Sequence, residues 1–108
     1  MKVGEGRTAV ELKADKLHEG LAVSLTGGRS HIGAVVLAAD GQVRVLRREH
    51  HRDEELAIPL AKAVAAATKS PVLCYCGVHI DDATPEEIAQ IRKNAEEAGK
   101  KLVAEMRK

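Results

Sequence analysis

The sequence has no phenylalanine and no tryptophan, and Tyr75 is its one aromatic residue. Its core must therefore be filled by Val, Ile, Leu and Ala. Binding of single-stranded nucleic acid needs a basic field and aromatic platforms for the bases. The charge balance is close to neutral, with 17 Lys and Arg against 16 Asp and Glu. Arg44, Arg47, Arg48 and Arg52 form a local basic run, but nothing beside them can stack on a base, so nucleic acid is not an expected partner. No stretch approaches the ~20 apolar residues that span a bilayer. Met1 to Gly6 holds no apolar run of the signal-peptide kind, and no membrane association is expected. Cysteine is scarce as well. Cys74 and Cys76 are too close in sequence for an ordinary bridge and lack the C-x-x-C spacing of redox and zinc motifs. A reduced, cytoplasmic protein is the simplest expectation.

What is present fits one domain over residues 1–108, with 1–6 as a flexible end. From Arg7 to Ala14 polar and apolar residues partly alternate, with Thr8, Val10, Leu12 and Ala14 on one face, which predicts a strand. Leu21, Val23 and Leu25 repeat the pattern, and Gly27-Gly28-Arg29-Ser30 breaks the chain before the apolar run Ile32 to Ala39. Asp40-Gly41 is a two-residue hairpin signal leading into a fourth strand, Gln42 to Arg48. The period then changes. Leu56, Leu60 and Val64 recur every four residues with Ala57, Ala61 and Ala65 beside them, marking a helix. Pro59 predicts that its first turn is kinked or that regular helix begins near Ile58. Pro71 to Ile80 is a buried strand. Thr84-Pro85-Glu86-Glu87 is a capping box with proline at the first helical position, and Ile88, Ile91, Ala95, Ala98 and Leu102 form the helical stripe behind it. The fold class is α+β in the order ββββαβα: a mostly antiparallel five-stranded sheet with two helices packed on one face. Short connections favour a four-stranded meander with the fifth strand added beside it. The second sheet face is then either solvated or paired with a second copy, so a homodimer is expected.

Three short segments carry the unusual polar chemistry. In the first, Gly27 and Gly28 free the backbone to approach an anion and Arg29 adds a planar donor fork, while His31 follows. Alternatively this is only a glycine turn. The second, Glu49-His50-His51-Arg52-Asp53, precedes a helix N-terminus, where anions are favoured and histidines can bind metal or exchange protons. Its plain reading is a polar loop with Asp53 as the helix cap. In the third, His79 and Asp81 share a strand face and could converge on one ligand, whereas Cys74 and Cys76 lie on the other face as small buried hydrophobes. His79 could equally be a hydrogen-bonded structural residue. Together His31, His50 or His51, His79 and Asp81 would suffice for a polar small molecule, or His31, His51, His79 and Asp81 for a divalent metal and hydrolase chemistry. No serine or cysteine has the setting of a nucleophile.

The runs GGRSHIGAVVLA, HHRDEELAIPLAKAVAAAT and PVLCYCGVHIDDATPEEIAQIRKNAEE resemble the small accessory D subunit of gallate-type hydroxyarylic acid decarboxylases. That group, the prenylated-flavin chaperone-like family, is similar in fold to proteasome assembly chaperones. The resemblance implies a non-catalytic helper that binds reduced prenylated FMN (or FMN) and assists maturation or loading of a UbiD-like decarboxylase. It places His31, His51, Asp53, His79 and Asp81 on the family's polar pattern. The family has glycine where this chain has His50. Gly27, Gly28 and Arg29 could then hold a phosphate, with Tyr75 the sole aromatic available to stack on a flavin. Two other readings stand beside this one: the metal-dependent hydrolase, and a dimeric chaperone that docks on a protein client without a small ligand.

Overall fold

Alternation and turn chemistry shape the first half of the chain. A computed structural model describes residues 1–49 and 52–107. The fold is α+β, with two helices on one face of a mixed sheet. Strands β1 (Lys2–Val3), β2 (Val10–Lys16), β3 (Leu21–Gly28), β4 (Ala34–Ala39) and β5 (Gln42–Arg47) come first. Helix α1 (Glu54–Thr68), strand β6 (Val72–His79) and helix α2 (Pro85–Met106) follow. Asp40 and Gly41 both take positive φ, the two-residue hairpin geometry that Asp-Gly favours, and Ala39 pairs with Gln42 across it.

The described residues form six strands rather than the five expected. The residues before Gly6 are part of the sheet: Lys2 and Val3 pair with Glu11 and Val10, and Val3 is buried. Residues Gly6–Thr8 form a 3-10 turn, so the strand expected from Arg7 begins at Val10.

The strand order is β1-β2-β3-β6-β4-β5, and this corrects the expected meander. Strand β6 does not lie at an edge. It inserts between β3, with which it runs parallel, and β4, with which it runs antiparallel. A strand apolar on both faces gains most in the centre of a sheet, and β6 and β4 are the two strands of that kind here. The connection from β3 to β4 must therefore cross the end of β6. It does so over Gly77, where an added Cβ would collide with the carbonyl of His31.

The core lies between sheet and helices. Val10, Leu12, Val23, Leu25, Val36, Val72, Cys74 and Cys76 supply the sheet side, and Ala57, Leu60, Ala61, Val64, Ala95, Ala98 and Leu102 the helical side. Helix α1 runs from Glu54 through Pro59 to Thr68, so of the two starts expected the later one, near Ile58, does not occur. Proline removes one backbone donor early in the helix, and the buried Ala57, Leu60, Ala61 and Val64 stripe offsets that loss. Gly99 lets α2 approach α1 closely, since a Cβ there would come within 3.1 Å of Leu60 Cδ1. Asn94, buried on α2, donates to the Thr8 carbonyl at 2.9 Å and accepts from Gln90 at 2.9 Å, which fastens α2 to the N-terminal segment. No helix among the described residues is long and apolar enough to cross a membrane.

Candidate functional site

At the ends of β3 and β6, beside the start of α1, the chain assembles a polar cluster against an apolar wall. Asp53, just before α1, is its centre and is only 8% exposed. Its side chain does not cap the helix. Instead, Oδ1 accepts from the Val78 backbone N–H at 3.0 Å, tying the helix start to β6. Oδ2 lies 3.2 Å from His31 Nε2, and His31 Nδ1 lies 3.1 Å from the Arg29 carbonyl oxygen. Both ring nitrogens thus face acceptors, and a protonated ring can donate to each.

Two glycines make this closure possible. A Cβ on Gly33 would occupy the space of the Asp53 carboxylate and approach His31 Nε2 to 3.1 Å. A Cβ on Gly77 would strike the His31 backbone. The His31-x-Gly33 and Gly77-x-His79 spacings therefore have a shared steric cause: each histidine travels with the glycine that gives the cluster room.

His79 stands across from His31, with ring centroids 6.4 Å apart in an edge-on arrangement. Its Nε2 lies 3.0 Å from Asp81 Oδ1, which also accepts from Arg29 Nη2 at 3.1 Å. The hydrogen bond from His79, then the Arg29 charge, hold the Asp81 carboxyl below the usual range. Arg7 reaches the same corner, bonding the Asp81 carbonyl and pairing with Glu87 at 2.6 Å.

A cleft of about 470 Å³ opens beside the cluster. This is within the ~300–1,000 Å³ of ordinary small-molecule sites. His31, Asp53 and His79 form its polar side, and Leu56, Val78, Ile80, Ala83, Ile88 and Ile91 its apolar side. Arg52 and Arg92 also line it, each pairing with Glu55, at 3.1 and 3.2 Å.

The structure thus brings together three of the residues singled out in the sequence: His31, Asp53 and His79. Asp81 and Arg29 join through His79 but do not line the cleft. Gly27 is buried in β3, where a Cβ would meet the Ala9 carbonyl at 2.9 Å. Gly28, at φ +59°, packs on the His79 backbone, and the Arg29 N–H donates to the His79 carbonyl at 2.8 Å. These groups serve close strand packing, and the Arg29 N–H is engaged in it. Tyr75 lies on the far face of the sheet, outside the cleft lining. His50 and His51 fall outside the described residues. Among the described residues no three His, Cys, Asp or Glu side chains gather closely enough to hold a metal ion, so the metal set has no support here.

Sequence reasoning missed the apolar wall. Ile88 belongs to the α2 stripe by spacing, yet it is 46% exposed because that first turn overhangs the cleft. Arg92 gave no signal at all, since a lone arginine on a helix resembles any solvated residue. The cysteines behave as expected of buried thiols: burial raises Cys74 to about 12, and Cys76 is raised by burial and by the Asp53 charge.

The model of the prenylated flavin chaperone LpdD-like domain matches residues 4–107. The chain belongs to that family. The match covers all three polar segments, both helices and nearly the whole sheet, so the cluster and cleft lie within the family's domain. No curated protein sequence matches the chain.

Proposed function

We propose that this LpdD-like protein binds reduced prenylated FMN in the cleft beside His31, Asp53 and His79 and delivers it to a UbiD-like decarboxylase in the cytoplasm, without turning over a substrate itself. The observation that carries this reading is the pairing of buried Asp53 and half-buried His31 with an adjacent apolar wall in one cleft. The chemistry of the lining suits the group. Leu56, Ile80, Ile88 and Ile91 would receive the fused rings and prenyl-derived carbons, which transfer favourably out of water. His31 and His79 would meet the polar edge of the ring system. Arg52 and Arg92, released from Glu55, would meet the phosphate, for which a guanidinium fork is well shaped.

The bound group supplies the decarboxylase with its reactive flavin, and the helper's task is custody: to bind, orient and shield a reduced ring that oxygen attacks. No nucleophile is required for this, and the two cysteines are buried with raised pKa. Such a site must release its cargo, and an open cleft with exposed arginines suits transfer better than permanent retention.

Activation of a cofactor-free decarboxylase under anaerobic conditions tests the proposal. Addition of the protein with reduced prenylated FMN should raise the fraction of active enzyme. His31→Asn and His79→Asn should each remove most of that gain. A gain that survives both substitutions would instead favour a chaperone that docks on the enzyme without a small ligand.

A further inference from the structure

Glu55 stands in the first turn of α1 with its carboxylate divided between two arginines from different elements. Arg52 Nη2, just before the helix, lies 3.1 Å from Oε1, and Arg92 Nη2, on α2, lies 3.2 Å from Oε2. All three side chains line the cleft. They are also open to water, Arg52 at 79%, Arg92 at 53% and Glu55 at 37%, so these ion pairs are easily exchanged. Each arginine donates through one nitrogen to one oxygen, short of the bidentate fork that makes a guanidinium–oxyanion pair strong. With the histidines neutral, Arg52 and Arg92 balance Asp53 and Glu55, and the lining has no net charge to draw an anion in. Asp53 is committed to the Val78 N–H and His31. Glu55 is the acid that can turn away to solvent.

We propose that Glu55 is a built-in competitor for the phosphate of the cargo: a phosphate monoester takes Arg52 and Arg92 by displacing the Glu55 carboxylate, and the return of that carboxylate drives release. For a flavin this rests on the reading given above, whereas the exchange at the arginines holds for any phosphate monoester. Such a group carries about −1.5 to −2 charge near pH 7 and three acceptor oxygens. It can accept a fork from each arginine, where the carboxylate has one oxygen for each. The displaced carboxylate stays tethered within reach, so it competes with the bound phosphate and repels it. The same side chain thereby lowers affinity and hastens departure, which suits a carrier that hands its cargo on. A purely structural Glu55, holding the arginines in place between α1 and α2, has the opposite consequence: its loss would loosen them and weaken anion binding.

Inorganic phosphate tests the exchange without any flavin. Its binding is followed by NMR on the wild type, Glu55→Gln, and Glu55→Gln combined with Arg92→Gln, with thermal melts to confirm folding. Glu55→Gln keeps the size of the side chain and removes its charge. It should bind phosphate about tenfold more tightly than the wild type, the order of a unit-charge repulsion across a few ångströms at a protein surface. Adding Arg92→Gln should abolish that gain. Reduced prenylated FMN, titrated under anaerobic conditions, should follow the same order and leave Glu55→Gln several-fold more slowly than the wild type. Phosphate binding unchanged or weakened in Glu55→Gln, or a gain that survives Arg92→Gln, would overturn the proposal. So would a flavin that binds the wild type and Glu55→Gln equally well. Phosphate in the expected order with no flavin bound by any variant would uphold the exchange and remove the flavin from the cleft instead.

Discussion

Asp53 carries two demands with one carboxylate: it satisfies a strand N–H and it positions a histidine. Replacing it with alanine leaves the Val78 N–H without its partner, at a cost of ~1–3 kcal/mol. Asn keeps an acceptor for Val78 and should cost less, while still altering the contact to His31. Urea unfolding of the two variants checks this ordering, and equal losses would contradict it. The runs that hold His31 with Gly33 and Gly77 with His79 were legible as parts of the resemblance, but the steric cause of those spacings was not, because the collisions that exclude a Cβ are between segments far apart in sequence. Of the two roles the sequence offered Asp53, a side-chain helix cap does not form, because its carboxylate is taken by the Val78 N–H and His31. At the same corner, Asp81 is the group with a direction to test. Its pKa is lowered in the folded chain, so any stability it contributes is present above the ordinary value of 3.8 and is lost as pH falls through the lower folded value. The carboxyl is fully exposed, so the stability effect should be small and the titration itself the better readout. NMR titration should give a midpoint below 3.8 that rises in both Arg29→Ala and His79→Asn. A midpoint insensitive to both substitutions would contradict the cluster.

Among the elements, α2 was the most legible because its start is encoded locally. Thr84 Oγ1 accepts from the Glu87 N–H at 3.1 Å, and the Glu87 carboxylate accepts from the Thr84 N–H at 3.0 Å, a reciprocal box with Pro85 at the first helical position. Thr84→Ala should cost on the order of 1 kcal/mol. In a domain of this size that lowers the melting temperature by roughly 4–8 °C. An unchanged melting temperature would mean that the box contributes nothing in solution. Helix α1 was legible in its stripe, and of the two starts that Pro59 left open the later one fails, because the proline rule weighs one lost hydrogen bond and cannot see the buried face that outweighs it. The wall of the cleft was missed for a related reason. Ile88 and Ile91 belong to the same periodic stripe, and periodicity does not distinguish a side chain that fills the core from one that overhangs a cavity.

For the whole molecule, the fold class followed from alternation, hairpin chemistry and helical period, but the strand order did not. Short connections argue for neighbours, and the β3–β4 connection is short. The competing signal was the run Val72 to Cys76, apolar on both faces, which marks a central strand. Inserting β6 between β3 and β4 forces residues 29–33 across its end, and that crossing sets His31 against Asp53 and opposite His79. The candidate site is therefore a product of the topology, which explains why three segments with no local relation meet. The central claim is that this meeting point receives a reduced prenylated flavin. Anaerobic calorimetric titration of the purified protein with reduced prenylated FMN tests it most directly, with His31→Asn and Asp53→Asn measured alongside. The wild type should bind saturably and each variant at least about tenfold more weakly, the order expected when a charge-assisted contact is lost. No binding by the wild type, or variants that bind as tightly as it does, would mean that the flavin does not sit against His31 and Asp53.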